Sequence, residues 1–209
     1  MICTVSVRNN SKEVFKLARF NTKKIAGLGL ITAMVIVLQF VGSFIKFGPF
    51  SISLVLIPIV VGAALYGWQS GIWLGLVFGV IVLISGDAAA FLTVNPLGTV
   101  VTVIIKGIAA GAASGAVYGL LKKINTYFAV AVSAIVCPLV NTGVFLIGCK
   151  LFFMPLITEW ATGAGMGDRV GLWMIVGLVG LNFIFEMLVN ILLSPIILRL
   201  INLGSKNKL

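Results

Sequence analysis

The sequence predicts an all-α membrane protein: a bundle of six transmembrane helices with both termini on the cytoplasmic side. Three observations predict it. Only about a tenth of the 209 residues are charged, 15 basic and 5 acidic, while 60% are hydrophobic and the mean hydropathy is +1.20. A soluble domain carries about 25% charged residues, and this little charge cannot cover a compact 22.1 kDa particle in water, so most of its outside faces lipid. The apolar sequence divides into six spans, and most of the basic residues gather at the ends of those spans.

Residues 1–24 read as a polar basic arm carrying Arg8, Lys12, Lys16, Arg19, Lys23 and Lys24. Ile25 to Ile45 is then free of charge and long enough to cross the hydrocarbon core as a first helix. A cleaved signal peptide is the rival, but the run is long for one and no A-x-A site follows. From Phe47 to Gly86 a second uncharged stretch is broken by Tyr66-Gly67-Trp68-Gln69-Ser70-Gly71, which predicts two spans, 50–66 and 69–86, joined by a tight turn. A less regular stretch with Asp87 leads to Asn95-Pro96, an N-cap followed by proline at the first helical position. The fourth span follows over 96–121 and ends at Lys122-Lys123. The fifth covers 126–150 with Pro138 as a kink near its centre, and residues 155–170 read as a loop. The sixth, 170–198, holds one charge and exceeds about 40 Å at the helical rise, so it tilts or begins in the interface. The transmembrane domain is thus 25–201, with a cytoplasmic tail over 202–209.

Six spans place both termini on one side, together with the arm, Lys122, Lys123, Arg199, Lys206 and Lys208. The opposite side has Lys46, Lys150 and Arg169, accompanied by Asp87, Glu159 and Asp168. The positive-inside rule therefore gives N-in, C-in. The same distribution accounts for the net charge of +10 without a nucleic-acid partner.

Much catalysis is excluded. There is no histidine, so His-based triads, His-ligated zinc and imidazole relays are absent. Cys3, Cys137 and Cys149 show no CxxC spacing, and no Gly-Lys dipeptide exists to build a phosphate-cradling loop. No catalytic residue, metal ligand or cofactor is expected, and any use of ATP belongs to a partner.

Two ionisable residues lie deep in the spans: Lys106 in the fourth and Glu186 in the sixth. A charge at the bilayer centre costs about 2.5–3.5 kcal/mol on insertion scales, so both should face the bundle interior. They either fasten two helices as an ion pair or border a polar cavity, and the pair does not exclude the cavity. Asn95, Thr99 and Thr102 share a helical face with Lys106, and Asn182 and Asn190 share one with Glu186. Asn141, one turn past Pro138, offers a third wall. Glycines recur every fourth residue at Gly67, Gly71, Gly75 and Gly79, and again at Gly107, Gly111, Gly115 and Gly119, a pattern expected for close helix packing. Aromatics at the outer ends suit an interfacial belt, and the loop carrying Phe44, Phe47 and Phe50 has the place of a lid.

The order of these features resembles the substrate-binding S components of energy-coupling factor (ECF) vitamin transporters. The resemblance covers about residues 22–203 and rests on Ile25-Ala-Gly-Leu-Gly-Leu-Ile-Thr-Ala33, on Leu56-Ile-Pro-Ile-Val-Val-Gly-Ala-Ala-Leu-Tyr-Gly67, and on Asn95-Pro-Leu-Gly98 leading into Lys106-Gly107. It implies a non-enzymatic subunit in a prokaryotic plasma membrane, surrounded by lipid, that captures a vitamin-like solute from outside. Such subunits dock on a transmembrane T component driven by two ATPase subunits and topple to release their cargo inward. The family commonly presents Ala-xxx-Ala to the T component; here Gly29-xxx-Ala33 stands in that place, with an intramolecular contact as the alternative. The resemblance places the site on the last three spans and the loop after the first, which points to Asn95, Thr99, Lys106, Asn182 and Glu186, with Asn141 and Phe47 behind them. Family members for riboflavin, folate and pantothenate share the scaffold, so the solute stays open. Lys106 favours an acidic ligand unless Glu186 neutralises it. The alternative function is a self-sufficient proton-coupled carrier, for which the chain shows no inverted repeat.

Overall fold

A computed structural model describes residues 3–206 apart from 45, 48, 49, 52 and 53, with the side chains of 22–44, 54–180 and 182–203. Helix α1 runs over Cys3–Ser43, so the basic arm continues the first span as one helix. Nothing interrupts it, because residues 1–26 contain neither glycine nor proline. Two short strands follow, β1 (Lys46–Phe47) and β2 (Phe50–Ser51), paired antiparallel with Phe47 opposite Phe50. The second span, expected from residue 50, is therefore shortened to α2, Leu56–Tyr66.

At 11 residues α2 is about 16 Å long, roughly half a hydrocarbon core. Seven of its residues are buried, among them Leu56, Ile59, Val60 and Ala63. Its uniform hydrophobicity therefore comes from packing inside the bundle rather than from lipid on all sides. Gly67, at φ +97°, makes the predicted turn into α3 (Trp68–Ile84). A short turn of helix, α4 (Ala89–Leu92), precedes α5 (Pro96–Leu121), whose start is set as expected: Asn95 Oδ1 accepts from the Gly98 N–H at 2.9 Å and proline opens the helix. Asn125 caps α6 (Thr126–Phe152) in the same way, and α6 continues through Pro138.

The expected loop at 155–170 is largely helical. Helix α7 (Met154–Gly163) begins with Pro155 in its first turn, where proline costs no hydrogen bond, and buries Ile157 and Ala161 while Thr158, Glu159 and Thr162 stay exposed. After a 3₁₀ turn at Gly167–Arg169, the last span is a composite. Helix α8 (Val170–Trp173) passes through a π-helical segment, Met174–Gly180, into α9 (Leu181–Lys206). It thus extends beyond the expected end at 198 and takes in most of the tail.

Four stretches are long and apolar enough to cross a membrane, Thr22–Ser43, Pro96–Leu121, Thr126–Phe152 and Gly167–Leu203, while α2 and α3 are shorter apolar helices. Large apolar side chains line the outside, including Ile25, Leu30 and Val37 on α1 and Ile184, Leu188 and Leu192 on α9. A surface of this kind suits lipid and not water.

The tightest contact is between α3 and α5, which run antiparallel. A Cβ on Gly71 or Gly75 would collide with the carbonyl of Gly111 or Gly107, and the reverse holds at both partners. Gly79 meets Val103 O at 2.9 Å, and Gly115 meets the Trp68 Cα at 2.7 Å. The two glycine stripes are therefore a backbone-to-backbone seam, with Gly67 and Gly119 as exceptions that have no neighbour within 4 Å of an added Cβ.

Candidate functional site

Lys106 sits within the stretch of α5 that forms the seam with α3, between the contacts of Val103 and Gly107, and toward one end the bundle opens beside it around a cavity of about 70 Å³. This is the end at which α1 and α3 terminate and α5 starts, opposite Lys122, Lys123 and Arg199. Polar side chains reach the cavity from five directions: Gln39 on α1, Asp87 between α3 and α4, Lys106 on α5, Asn141 and Thr142 on α6, and Asn182 and Glu186 on α9. Val82, Ala88, Phe91, Val103, Phe145, Leu178 and Val179 supply the apolar wall. Leu178 and Val179 come from the π-helical segment, a distortion often found at functional sites.

The polar groups are organised. Gln39, 2% exposed, donates its Nε2 to Asp87 Oδ2 at 2.5 Å and so joins α1 to the α3–α4 connection. Asn182 Nδ2 donates to Glu186 Oε1 at 3.2 Å across one turn of α9, and Glu186 is 3% exposed. Lys106 Nζ lies 5.5 Å from the Phe78 ring centroid and 5.3 Å from that of Phe145, so two ring faces hold the ammonium within the fields of Glu186 and Asp87. Phe91 packs edge-on against Phe145, Phe153 and Trp160 at 5.6, 4.9 and 5.8 Å. This aromatic cluster lets α7 brace the cavity wall.

Of the residues singled out in the sequence, Lys106, Asn141, Asn182 and Glu186 meet at this cavity. Asn95 and Thr99 do not line it. Asn95 spends its side chain on the α5 cap, and buried Thr99 donates to the Asn95 carbonyl at 2.8 Å. The face they share with Lys106 is covered by α6, where Gly98 abuts Phe152 and Thr102 abuts Gly148. The side chain of Phe47 lies outside the described residues. Gly29 and Ala33 are exposed on the face of α1 turned away from Ile31, Val35 and Gln39, and nothing lies within 4 Å of a Cβ built on Gly29.

Sequence reasoning missed Gln39 and Asp87. The signal for Gln39 was present, since it follows buried Ile31 and Val35 at four-residue spacing and is the one amide in an apolar run. No comparable pattern marked Asp87, which reaches the cavity through the turn after α3.

The model of the family described as ECF transporter, substrate-specific component, matches residues 23–198. No curated protein matches the chain.

Proposed function

Because the chain belongs to the family of ECF transporter substrate-specific components, we propose that it is the substrate-capture subunit of such an importer, taking a vitamin or related micronutrient from outside the cell. The observation that carries this reading is the convergence of six strongly polar side chains, Gln39, Asp87, Lys106, Asn141, Asn182 and Glu186, on one cavity of the bundle. Polar groups in a lipid-spanning core are costly, and a solute that pairs with them offsets the cost.

Orientation follows from charge. With Lys122, Lys123, Arg199 and the basic start of α1 on the cytoplasmic side, the cavity faces outward and both termini lie inside. A cavity of about 70 Å³ has room for about two water molecules, whereas a drug-sized ligand takes about 300–1,000 Å³. Capture therefore includes parting of the walls. Delivery requires a T component and two ATPase subunits, and the Gly29-xxx-Ala33 face of α1 is the docking surface; its exposure and lack of neighbours support that role.

Equilibrium binding of labelled riboflavin, folate and pantothenate, with further micronutrients in the same panel, to the detergent-solubilised subunit tests this reading. One solute should bind saturably at one per chain. The absence of saturable binding across the panel would contradict it.

A further inference from the structure

The cavity carries a donor–acceptor pattern that narrows the chemistry of its ligand; the step rests on the reading that this cavity is the capture site. Carboxylates accept hydrogen bonds and do not donate them. The bond from Gln39 Nε2 to Asp87 and the bond from Asn182 Nδ2 to Glu186 therefore fix which end of each amide faces the carboxylate, and both carbonyl oxygens are left for other partners. Those oxygens, Gln39 Oε1 and Asn182 Oδ1, are buried and have no hydrogen-bond partner among the described residues, and the same is true of Asn141 Oδ1. All three residues line the one cavity, from α1, α9 and α6.

Six buried side-chain oxygens lack a hydrogen-bond partner among the described residues, and three of them belong to residues that line this one cavity; once the walls part, N–H or O–H groups of a ligand would satisfy those three. The cation of the site, Lys106, is already held over Phe78 and Phe145 within the fields of two carboxylates. An anionic solute would bring further acceptors against three carbonyl oxygens and two carboxylates, with one ammonium to oppose them. We infer that the cavity recognises a neutral or cationic planar solute through a donor-rich edge of the amide, amidine or amino-heterocycle type, and that it discriminates against carboxylates and phosphates. Phe91 and Phe145, packed edge-to-face at 5.6 Å, supply flat apolar surface beside that edge. This reverses the preference for an acidic ligand that Lys106 alone would give.

The test uses three probes of one size, benzamidine, benzamide and benzoate, titrated calorimetrically into the full chain in detergent. It is accompanied by mass spectrometry of small molecules released when the purified protein is denatured. Benzamidine and benzamide should bind at least about tenfold more tightly than benzoate, and the released molecule should carry two or more N–H or O–H donors on one edge. Gln39→Met, which keeps side-chain length without the acceptor, and Asn141→Ala, which strips no carboxylate of a partner, should each reduce both signals about tenfold. Benzoate binding as tightly as benzamidine, or a released carboxylate without such donors that both variants retain, would overturn the inference and leave the capture role standing. A protein that binds none of the probes and releases no small molecule would overturn both.

Discussion

Replacing Gly75 by alanine adds one methyl group at the point where α3 and α5 touch through their backbones. The new carbon would overlap the Gly107 carbonyl and lie 3.0 Å from Ile108 N, where ordinary contact begins at 3.4 Å. Backbone atoms inside a hydrogen-bonded helix cannot swing aside as a side chain does, so the helices must separate. Overpacking of this kind costs about 1–3 kcal/mol, against a gain in helix propensity of up to about 1 kcal/mol for Gly→Ala. The net loss is up to about 2 kcal/mol, and at about 2–4 °C per kcal/mol for a chain of this length the melting temperature should fall by up to about 8 °C. Gly119→Ala is the control, because a Cβ there meets nothing within 4 Å and only the propensity gain remains. Thermal unfolding of the detergent-solubilised variants, followed by tryptophan fluorescence, measures both. Gly75→Ala should also weaken ligand binding, since Gly107 adjoins Lys106 and any shift of α5 moves the ammonium off the Phe78 and Phe145 rings. Equal melting of the two variants would refute a backbone-to-backbone seam.

The cavity residues and the surfaces around them separate in other measurements. Glu186→Ala should weaken ligand binding at least about tenfold, as expected for loss of a charged hydrogen-bonding partner, and Lys106→Ala should weaken it by leaving Glu186 and Asp87 without the cation that balances them, while membrane insertion assayed by fractionation stays normal in both. Asn95→Ala removes the α5 cap and should cost about 0.5–2 kcal/mol of stability, read as a lower melting temperature, with ligand affinity changed much less than by Asn141→Ala. Gly29→Leu and Ala33→Leu should leave binding by the purified subunit intact and block coupled uptake in cells; normal uptake would remove this face of α1 as the docking surface.

The parts of the fold visible in the sequence are those governed by local chemistry. Asn95-Pro96 marks where α5 begins because a side-chain cap and its helix are neighbours in the chain. The glycine stripes are legible for a similar reason, since four-residue spacing fixes a helical face. Which neighbour covers a face is a tertiary fact, and there the sequence misleads. Asn95 and Thr99 share the face of Lys106, but α6 seals that face through Gly148 and Phe152. Residues 155–170 look like a loop because Pro155 and three glycines punctuate them, yet Pro155 falls in a first turn and Ile157 and Ala161 find a core. The π-helical segment at Met174–Gly180 leaves no trace in the periodicity of so uniformly apolar a run. Lys106 and Glu186, which line the cavity, stood out in the sequence because an intramembrane charge has few tolerable places. Gln39 stood out only as the one amide in its apolar run, and Asp87 joins it through a pairing across 48 residues that the fold sets.

The central claim is that this chain binds a solute in the cavity beside Lys106 and Glu186 but has no means of driving it across the membrane. Uptake of the bound micronutrient into proteoliposomes measures this directly, with the subunit reconstituted alone under an imposed proton gradient and, in parallel, with T and ATPase subunits plus internal or external ATP. Accumulation should require the partner subunits and ATP on the side of the ATPases. Concentrative uptake by the chain alone, driven by the pH gradient, would contradict the account.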